Sequence, residues 1–271
     1  MLIPALKSRR VLRKSLIAEL HAQAAAAGDV EVLVEEDAGG CPSGAKRNRL
    51  LRRARGAYVS FVDDDDQVDR KYVQRIRAGT LAGPDCVSFW LRRTGDDRPP
   101  VVHRFSIYHA EDHGQVRGLP GVRLFQANHL CAWRRELASL IGFPEHLGYA
   151  DDVFWYRPLL ASGLVQTELH ITAVLYYYHW RSDATGNQSA ERIAATRRWC
   201  GGGIECFIAD GRICRATEPI ERTAGKAEIA CHCGLEPGVC EVSRAGARRI
   251  CVVTDRSGPV PVPPRPTART R

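Results

Sequence analysis

Four consecutive carboxylates, Asp63, Asp64, Asp65 and Asp66, follow the apolar run Tyr58-Val59-Ser60-Phe61-Val62. Side by side they repel one another unless solvent, basic side chains or a cation compensates them. A strand that delivers hard oxygen ligands at its carboxyl end, where open α/β sheets bind ligands, is what a Mg²⁺ or Mn²⁺ ion holding a diphosphate requires. An acidic surface turn is the competing reading. Two further acidic groups recur along the chain: Glu35-Glu36-Asp37 ends the apolar residues 30–34, and Asp151-Asp152 opens an apparent helix, Val153–Ala161. Carboxylates at a helix N-terminus stabilise its dipole without any catalytic role. The recurrence of such groups at element ends in one chain points beyond that to a shared site, with His179 at the end of a late strand beside them.

The elements that must position these residues alternate. Ser8, followed by Val11-Leu12, Leu16-Ile17 and Leu20, has the recurrence of an amphipathic helix capped by Ser8 and closed over residues 24–28. A buried strand over 30–34 leads into the turn formers of residues 38–44, and residues 45–55 read as a strongly basic helix with Leu50, Leu51 and Ala54 inward. The strand over 58–62 then feeds the aspartates. A helix over 69–78, a strand over 85–91, a hairpin involving residues 101–108, a helix over 134–141 stopped by Gly142 and Pro144, the helix Val153–Ala161 and a strand over 171–178 follow. His103, His109 and His113 read as surface histidines. Strand, helix, strand in alternation predicts an α/β fold with a mostly parallel central sheet and right-handed crossovers.

A chain of 271 residues that is 44% hydrophobic holds one large α/β domain, or a domain with an appendage. No apolar run is long enough to span a bilayer, and the N-terminus turns basic at Lys7, Arg9 and Arg10 too early for a signal peptide. These features predict a cytoplasmic protein with no membrane partner. The net charge of +8 suits a polyanionic partner, but 34 of the 39 basic residues are arginine, a profile that coding bias also produces, so charge is given little weight. Seven of the ten cysteines lie between Cys200 and Cys251, which sets a compositional boundary near residue 190. Cys231-His232-Cys233 with Cys240, or with Cys200, Cys206 and Cys214, offers soft ligands for a structural Zn²⁺. The absence of any C-x-x-C spacing favours ordinary thiols instead. The Pro/Arg-rich residues 258–271 read as a disordered tail.

The ordered series Leu2-Ile3-Pro4, Val34-Glu35-Glu36-Asp37, Gly44-Ala45-Lys46-Arg47-Asn48, Ala54-Arg55-Gly56-Ala57-Tyr58 running into the aspartates, Arg134-Arg135-Glu136, Gly142-Phe143-Pro144-Glu145, Ala150-Asp151-Asp152 and Tyr178-His179-Trp180-Arg181-Ser182 resembles the nucleotide-sugar-dependent glycosyltransferases of family 2, which have the Rossmann-like GT-A fold. The likeness spans residues 1 to about 183. It implies a metal-dependent, inverting transfer of a hexose or pentose from a nucleotide-diphosphate sugar, with Mn²⁺ or Mg²⁺ as cofactor. Asp63 and Asp65 are then the ends of the D-x-D motif, Asp65 a direct metal ligand and Asp63 nearer the ribose, with His179 helping to bind metal or diphosphate. One of Glu35, Glu36 and Asp37 meets the nucleobase, Lys46 and Arg47 lie near the nucleotide, and Asp152 is the general base supported by Asp151. Two departures stand out: Asp151 replaces the family's glutamate, and Ala150 replaces its glycine. The implied organisation is a catalytic domain over 1–185, a Cys-rich extension over 186–257 and the tail. Short virus-encoded relatives suggest a modified nucleic acid, protein or glycan as acceptor. Two alternatives remain: a nucleic-acid-binding protein built on the Arg-rich helix and the Cys/His cluster, and a nucleotidyltransferase, which would need a glycine-rich loop that the N-terminus lacks.

Overall fold

A computed structural model describes residues 1–95, 98–109, 114–147, 150–180, 240–245 and 248–253. Strand β1 (Leu2–Leu6) leads through a 3₁₀ turn, Lys7–Arg9, to helix α1 (Lys14–Ala27), then β2 (Leu33–Asp37), α2 (Ser43–Arg53), β3 (Tyr58–Val59), β4 (Gln67–Val68) and α3 (Tyr72–Thr80). There follow β5 (Cys86–Gly95), β6 (Arg98–Ser106), β7 (Gly114–Val116), β8 (Leu119–Gln126), β9 (Ala132–Arg134), α4 (Arg135–Ala138), α5 (Val153–Ala161), β10 (Thr167–Trp180) and a hairpin, β11 (Cys240–Ala245) and β12 (Arg248–Val253). The predicted α/β architecture is present. β1 pairs parallel with β2, Leu2 forms a parallel bridge to Phe61, and β5 pairs parallel with β10. Strand β9 runs antiparallel between β3 and β5, and β6 extends β5 as the expected hairpin. Among the described residues no helix is long and apolar enough to cross a membrane.

Several boundaries differ from the sequence reading. Helix α1 starts at Lys14, its N-cap position is Arg13 without a side-chain cap, and Ser8 lies in the 3₁₀ turn. Val11 and Leu12 are exposed, so the apolar recurrence that pointed to an earlier start never reaches the core. Its end is as expected: Gly28 adopts φ 81° and its N–H donates to Ala24 O, the left-handed close that glycine accommodates without strain. Strand β2 is displaced toward the acidic residues, and α4 is one turn long. Strand β5 runs past Leu91 through Arg92 and Arg93 because β6 and β10 pair with it along that length. Of the cysteines considered for zinc, Cys240 falls in the terminal hairpin. Cys200, Cys206, Cys214, Cys231, His232 and Cys233 and the tail 258–271 lie outside the described residues.

The core that carries the site is aromatic. Phe143 stacks on Trp155 at 4.8 Å, Trp155 meets Trp133 edge-on, and Phe61 meets Phe143 edge-on. All four rings are essentially buried. Helix α2 docks on the same layer through Gly44, where a Cβ would stand 2.4 Å from Pro144 O. Four residues on, Asn48 accepts the Phe143 N–H and donates to Phe143 O and Glu145 Oε1. The spacing Gly44-x-x-x-Asn48 places both residues on one helix face, which fixes the position of Arg47 between them and the aspartates.

Candidate active site

The aspartate run divides by exposure. Asp63 and Asp65 reach solvent, with side chains 31% and 17% exposed, whereas Asp64 and Asp66 are buried. Asp64 shapes the turn: its Oδ1 pairs with Arg9 at 2.8 Å, and its Oδ2 accepts the Leu6 N–H at 2.7 Å with Arg13 3.8 Å away. Arg9 also lies 3.1 Å from Asp65. Asp66 Oδ2 accepts the Tyr176 hydroxyl at 2.8 Å, that hydroxyl accepts the Asp63 N–H at 3.0 Å, and the His179 N–H donates to the Asp66 carboxylate. Strand β10 thus holds the turn from below.

Asp151 and Asp152 join this turn through two side chains. Arg47, 5% exposed, spans from Asp151 Oδ2 at 2.5 Å to Asp63 Oδ1 at 3.0 Å, with its guanidinium over the Phe143 ring. His129 places Nδ1 3.2 Å from Asp152 Oδ2 and Nε2 3.5 Å from Asp63 Oδ2. Asp151 is further fixed by the Ser43 hydroxyl at 2.9 Å and is 5% exposed at its side chain, whereas that of Asp152 is 25% exposed. Burial pushes the carboxyls of Asp63 and Asp152 upward. Arg47 and His129 outweigh it for Asp63, and the His129 contact followed by Arg47 does so for Asp152, so both are held below the usual carboxylate range. Burial and Arg47 depress the His129 imidazole, yet its contacts with Asp152 and Asp63 leave it raised.

The acidic end of β2 has partners of its own. Glu35 pairs with Arg49 and Arg53, Glu36 with Arg10 and Arg13, and Asp37 with Lys46 at 2.7 Å. Asp37 also accepts the Gly39 and Cys41 N–H groups, and these bonds with Lys46 overcome burial to hold its carboxyl down at about 2. Lys46 donates to Ala5 O as well, tying the ends of β1 and β2 together. Helix α2 therefore spends its basic side chains within the domain: Arg47 on the aspartates, Arg49 and Arg53 on Glu35, Arg52 near Glu145. Lys46 and Arg47 are buried in these pairs, whereas Arg49, Arg52 and Arg53 stay half or more exposed.

The site's fit to a divalent cation can be judged from its carboxylates. Burial and the charges of Asp63 and Asp64 push the Asp65 carboxyl up to about 6 despite Arg9, and burial with Asp63 and Asp65 raises that of Asp66. Asp66 Oδ1 is buried and has no hydrogen-bond partner among the described residues. Crowded oxygen donors of this kind fit Mg²⁺ or Mn²⁺. Among the described residues no three or more His, Cys, Asp or Glu side chains form a ready cage. That is compatible with an ion held by one or two carboxylates and completed by substrate phosphates. The His179 ring meets Thr94 Oγ1 at 2.9 Å, and its main-chain N–H meets the aspartate turn at Asp66.

His129, Arg9, Arg13 and Tyr176 are the site residues the sequence reading did not find. His129 sits in Asn128-His129-Leu130-Cys131, a stretch with no motif, and is tied to the aspartate strand by a bond from Phe61 N–H to its carbonyl. A cleft of about 540 Å³ lies at the opposite ends of β1 and β3, lined by Met1, Glu31, Arg55, Tyr58 and Arg77 among others, away from the aspartates.

Residues 17–141, which carry Arg47, the aspartate run and His129, match the family described as glycosyl transferase family 2. No curated protein matches the chain. Among solved structures, the 1–349 portion of S. aureus TarS in complex with UDP is similar over 66% of this chain and 59% of that one, at 18% identity and a TM-score of 0.48. The same portion with UDP-GlcNAc is similar over 70% and 61%, at 15% identity and a TM-score of 0.45. The chain thus spans about three fifths of the length of these structures.

Proposed function

We propose that the protein is a metal-dependent, inverting glycosyltransferase that moves a sugar from a nucleotide-diphosphate donor to an acceptor hydroxyl, with residues 1–185 as its catalytic domain. The observation that carries this reading is the gathering, around a stretch that matches family 2, of solvent-reaching Asp63 and Asp65 on one side of His129 and solvent-reaching Asp152 on the other. Asp63 and Asp65, with Asp66 behind them, would hold Mn²⁺ or Mg²⁺. A divalent ion there would neutralise the diphosphate as the leaving group departs. Asp152, kept ionised by His129 and Arg47, takes the proton of the attacking hydroxyl. Asp151 is clamped by Ser43 and Arg47 and serves as its support. With one displacement and no glycosyl-enzyme intermediate, the anomeric configuration inverts. The acidic end of β2 faces the nucleobase in this reading, and the bound donor is a UDP- or TDP-sugar.

The test measures nucleotide release from UDP- and TDP-sugars with Mn²⁺ for the parent, Asp65→Ala and Asp152→Asn. Losses of about 100-fold or more are expected in both variants. Full activity in both, or failure of the parent to bind any donor, overturns the assignment.

A further inference from the structure

Asp151 and Asp152 are neighbours in sequence but are held by different means. Asp151 has Ser43 at 2.9 Å and Arg47 at 2.5 Å, and Asp63 has Arg47 at 3.0 Å with Tyr176 on its N–H. Among the described residues the side chain paired with the Asp152 carboxylate is His129, whose Nδ1 lies 3.2 Å from Oδ2 as an ion pair, off the line of a hydrogen bond, while Arg47 acts on Asp152 as a nearby charge. The imidazole is itself fixed. It is 6% exposed, packs against Phe61 with ring centroids 6.4 Å apart, and its own carbonyl accepts the Phe61 N–H. Its second nitrogen faces Asp63 Oδ2 at 3.5 Å and Arg47 Nη2 at 3.2 Å.

We propose that His129 is the positioning residue for the base: its Nδ1 side holds Asp152 Oδ2, leaving Oδ1 directed at the acceptor hydroxyl. The inference rests on the glycosyltransferase reading above. A carboxylate one quarter exposed samples several rotamers unless one oxygen is engaged, and a general base acts only from the geometry that meets the proton. In the reaction the acceptor oxygen bonds the anomeric carbon as the bond to the diphosphate breaks, and the electron pair leaves with the diphosphate. The hydroxyl proton passes to Asp152 Oδ1, so the contact between His129 and Oδ2 persists throughout. The Nε2 side contributes less to turnover, because Asp63 keeps Arg47 and Tyr176 without it.

The two sides of the ring are separable by substitution. In His129→Asn the amide nitrogen stands where Nδ1 was, and in His129→Gln it stands where Nε2 was. With nucleotide release from a UDP-sugar and Mn²⁺ as assay, His129→Gln is expected to lose at least tenfold in kcat, and His129→Asn to stay within threefold of the parent. Donor KM and calorimetric affinity for UDP are expected to change less than threefold in both, with equal melting temperatures. Adding His129→Gln to Asp152→Asn should bring little further loss, since the base it positions is already gone. Equal kcat in the two variants, or losses that follow KM or melting temperature, overturn the inference alone. A parent that binds no nucleoside diphosphate sinks the glycosyltransferase reading, and this inference with it.

Discussion

Two groups of carboxylates among the described residues are treated in opposite ways. At the edge of the sheet, Asp63, Asp64 and Asp151 are matched by guanidinium groups from Arg47, Arg9 and Arg13, none of them adjacent in sequence. Inside the sheet, Glu168 on β10 is 2% exposed and receives neutral donors, among them the Ser88 hydroxyl, the Ser106 hydroxyl at 2.7 Å and the Ile107 N–H at 3.3 Å. Among the described residues no basic side chain pairs with it, and burial pushes its carboxyl up to about 7. A buried carboxylate stays ionised when a fixed cation faces it and tends to hold its proton when none does. The first arrangement preserves charge where a reaction uses it, and the second serves packing.

The sharpest way to break this contrast is to remove the cation. Arg47→Met keeps the length and apolar stem of the side chain but leaves Asp63 and Asp151 facing each other without their guanidinium. Breaking one partner of a buried pair in this way costs about 3–5 kcal/mol. Denaturant unfolding should show that loss with an unchanged slope, and a loss below about 1 kcal/mol would mean that solvent, rather than Arg47, compensates the cluster.

Glu168 gives the complementary prediction. Its folded pKa of about 7 stands above the ordinary 4.5, so the folded chain holds this proton more tightly than the unfolded one. Below pH 4.5 both states are protonated and the residue contributes no pH dependence. As pH rises from 4.5 to 7 the unfolded chain ionises first, and stability falls by about 3 kcal/mol before levelling off above 7. Glu168→Gln removes that slope, so the variant should be more stable than the parent at pH 8 and close to it at pH 4. Parallel stability curves for parent and variant across this range would show that Glu168 ionises normally in the folded state.

The same contrast explains what could be read from the sequence. The aspartate turn was legible because an apolar run stops abruptly in charge, and helix α5 because its limits are marked by Asp152 and Gly163. The docking of α2 was visible as a motif, though only the approach of Pro144 O to Gly44 shows why glycine is required. His129 could not be found, since its partners Asp63 and Asp152 come from different elements. The start of α1 was misplaced for the opposite reason: Val11 and Leu12 carry the right residue types, but no element covers them, and periodicity alone does not say which apolar side chains find a partner. Glu168 lay in a segment that carries no acidic cluster, so nothing distinguished it from a surface residue until Ser106 and Ile107 closed over it.

The smallest predicted effect concerns how each region's backbone is held. Glu168 sits in a ladder opposite Cys86, in ordinary strand geometry. Asp151 and Asp152 instead follow Ala150, which adopts φ 59° at the position where the family resemblance places glycine. A left-handed conformation costs an alanine about 1–2 kcal/mol, whereas a glycine adopts it freely but loses about 0.5–1 kcal/mol in unfolded-state entropy. The difference predicts that Ala150→Gly stabilises the fold by roughly 0.5–1 kcal/mol, readable as a shift of the denaturation midpoint. If the midpoint falls instead, the alanine methyl contributes packing that outweighs its strain. If it rises while nucleotide release slows, the strained alanine holds Asp152 against His129 more firmly than a glycine can, and the edge of the sheet gives up stability for geometry as the interior around Glu168 does not.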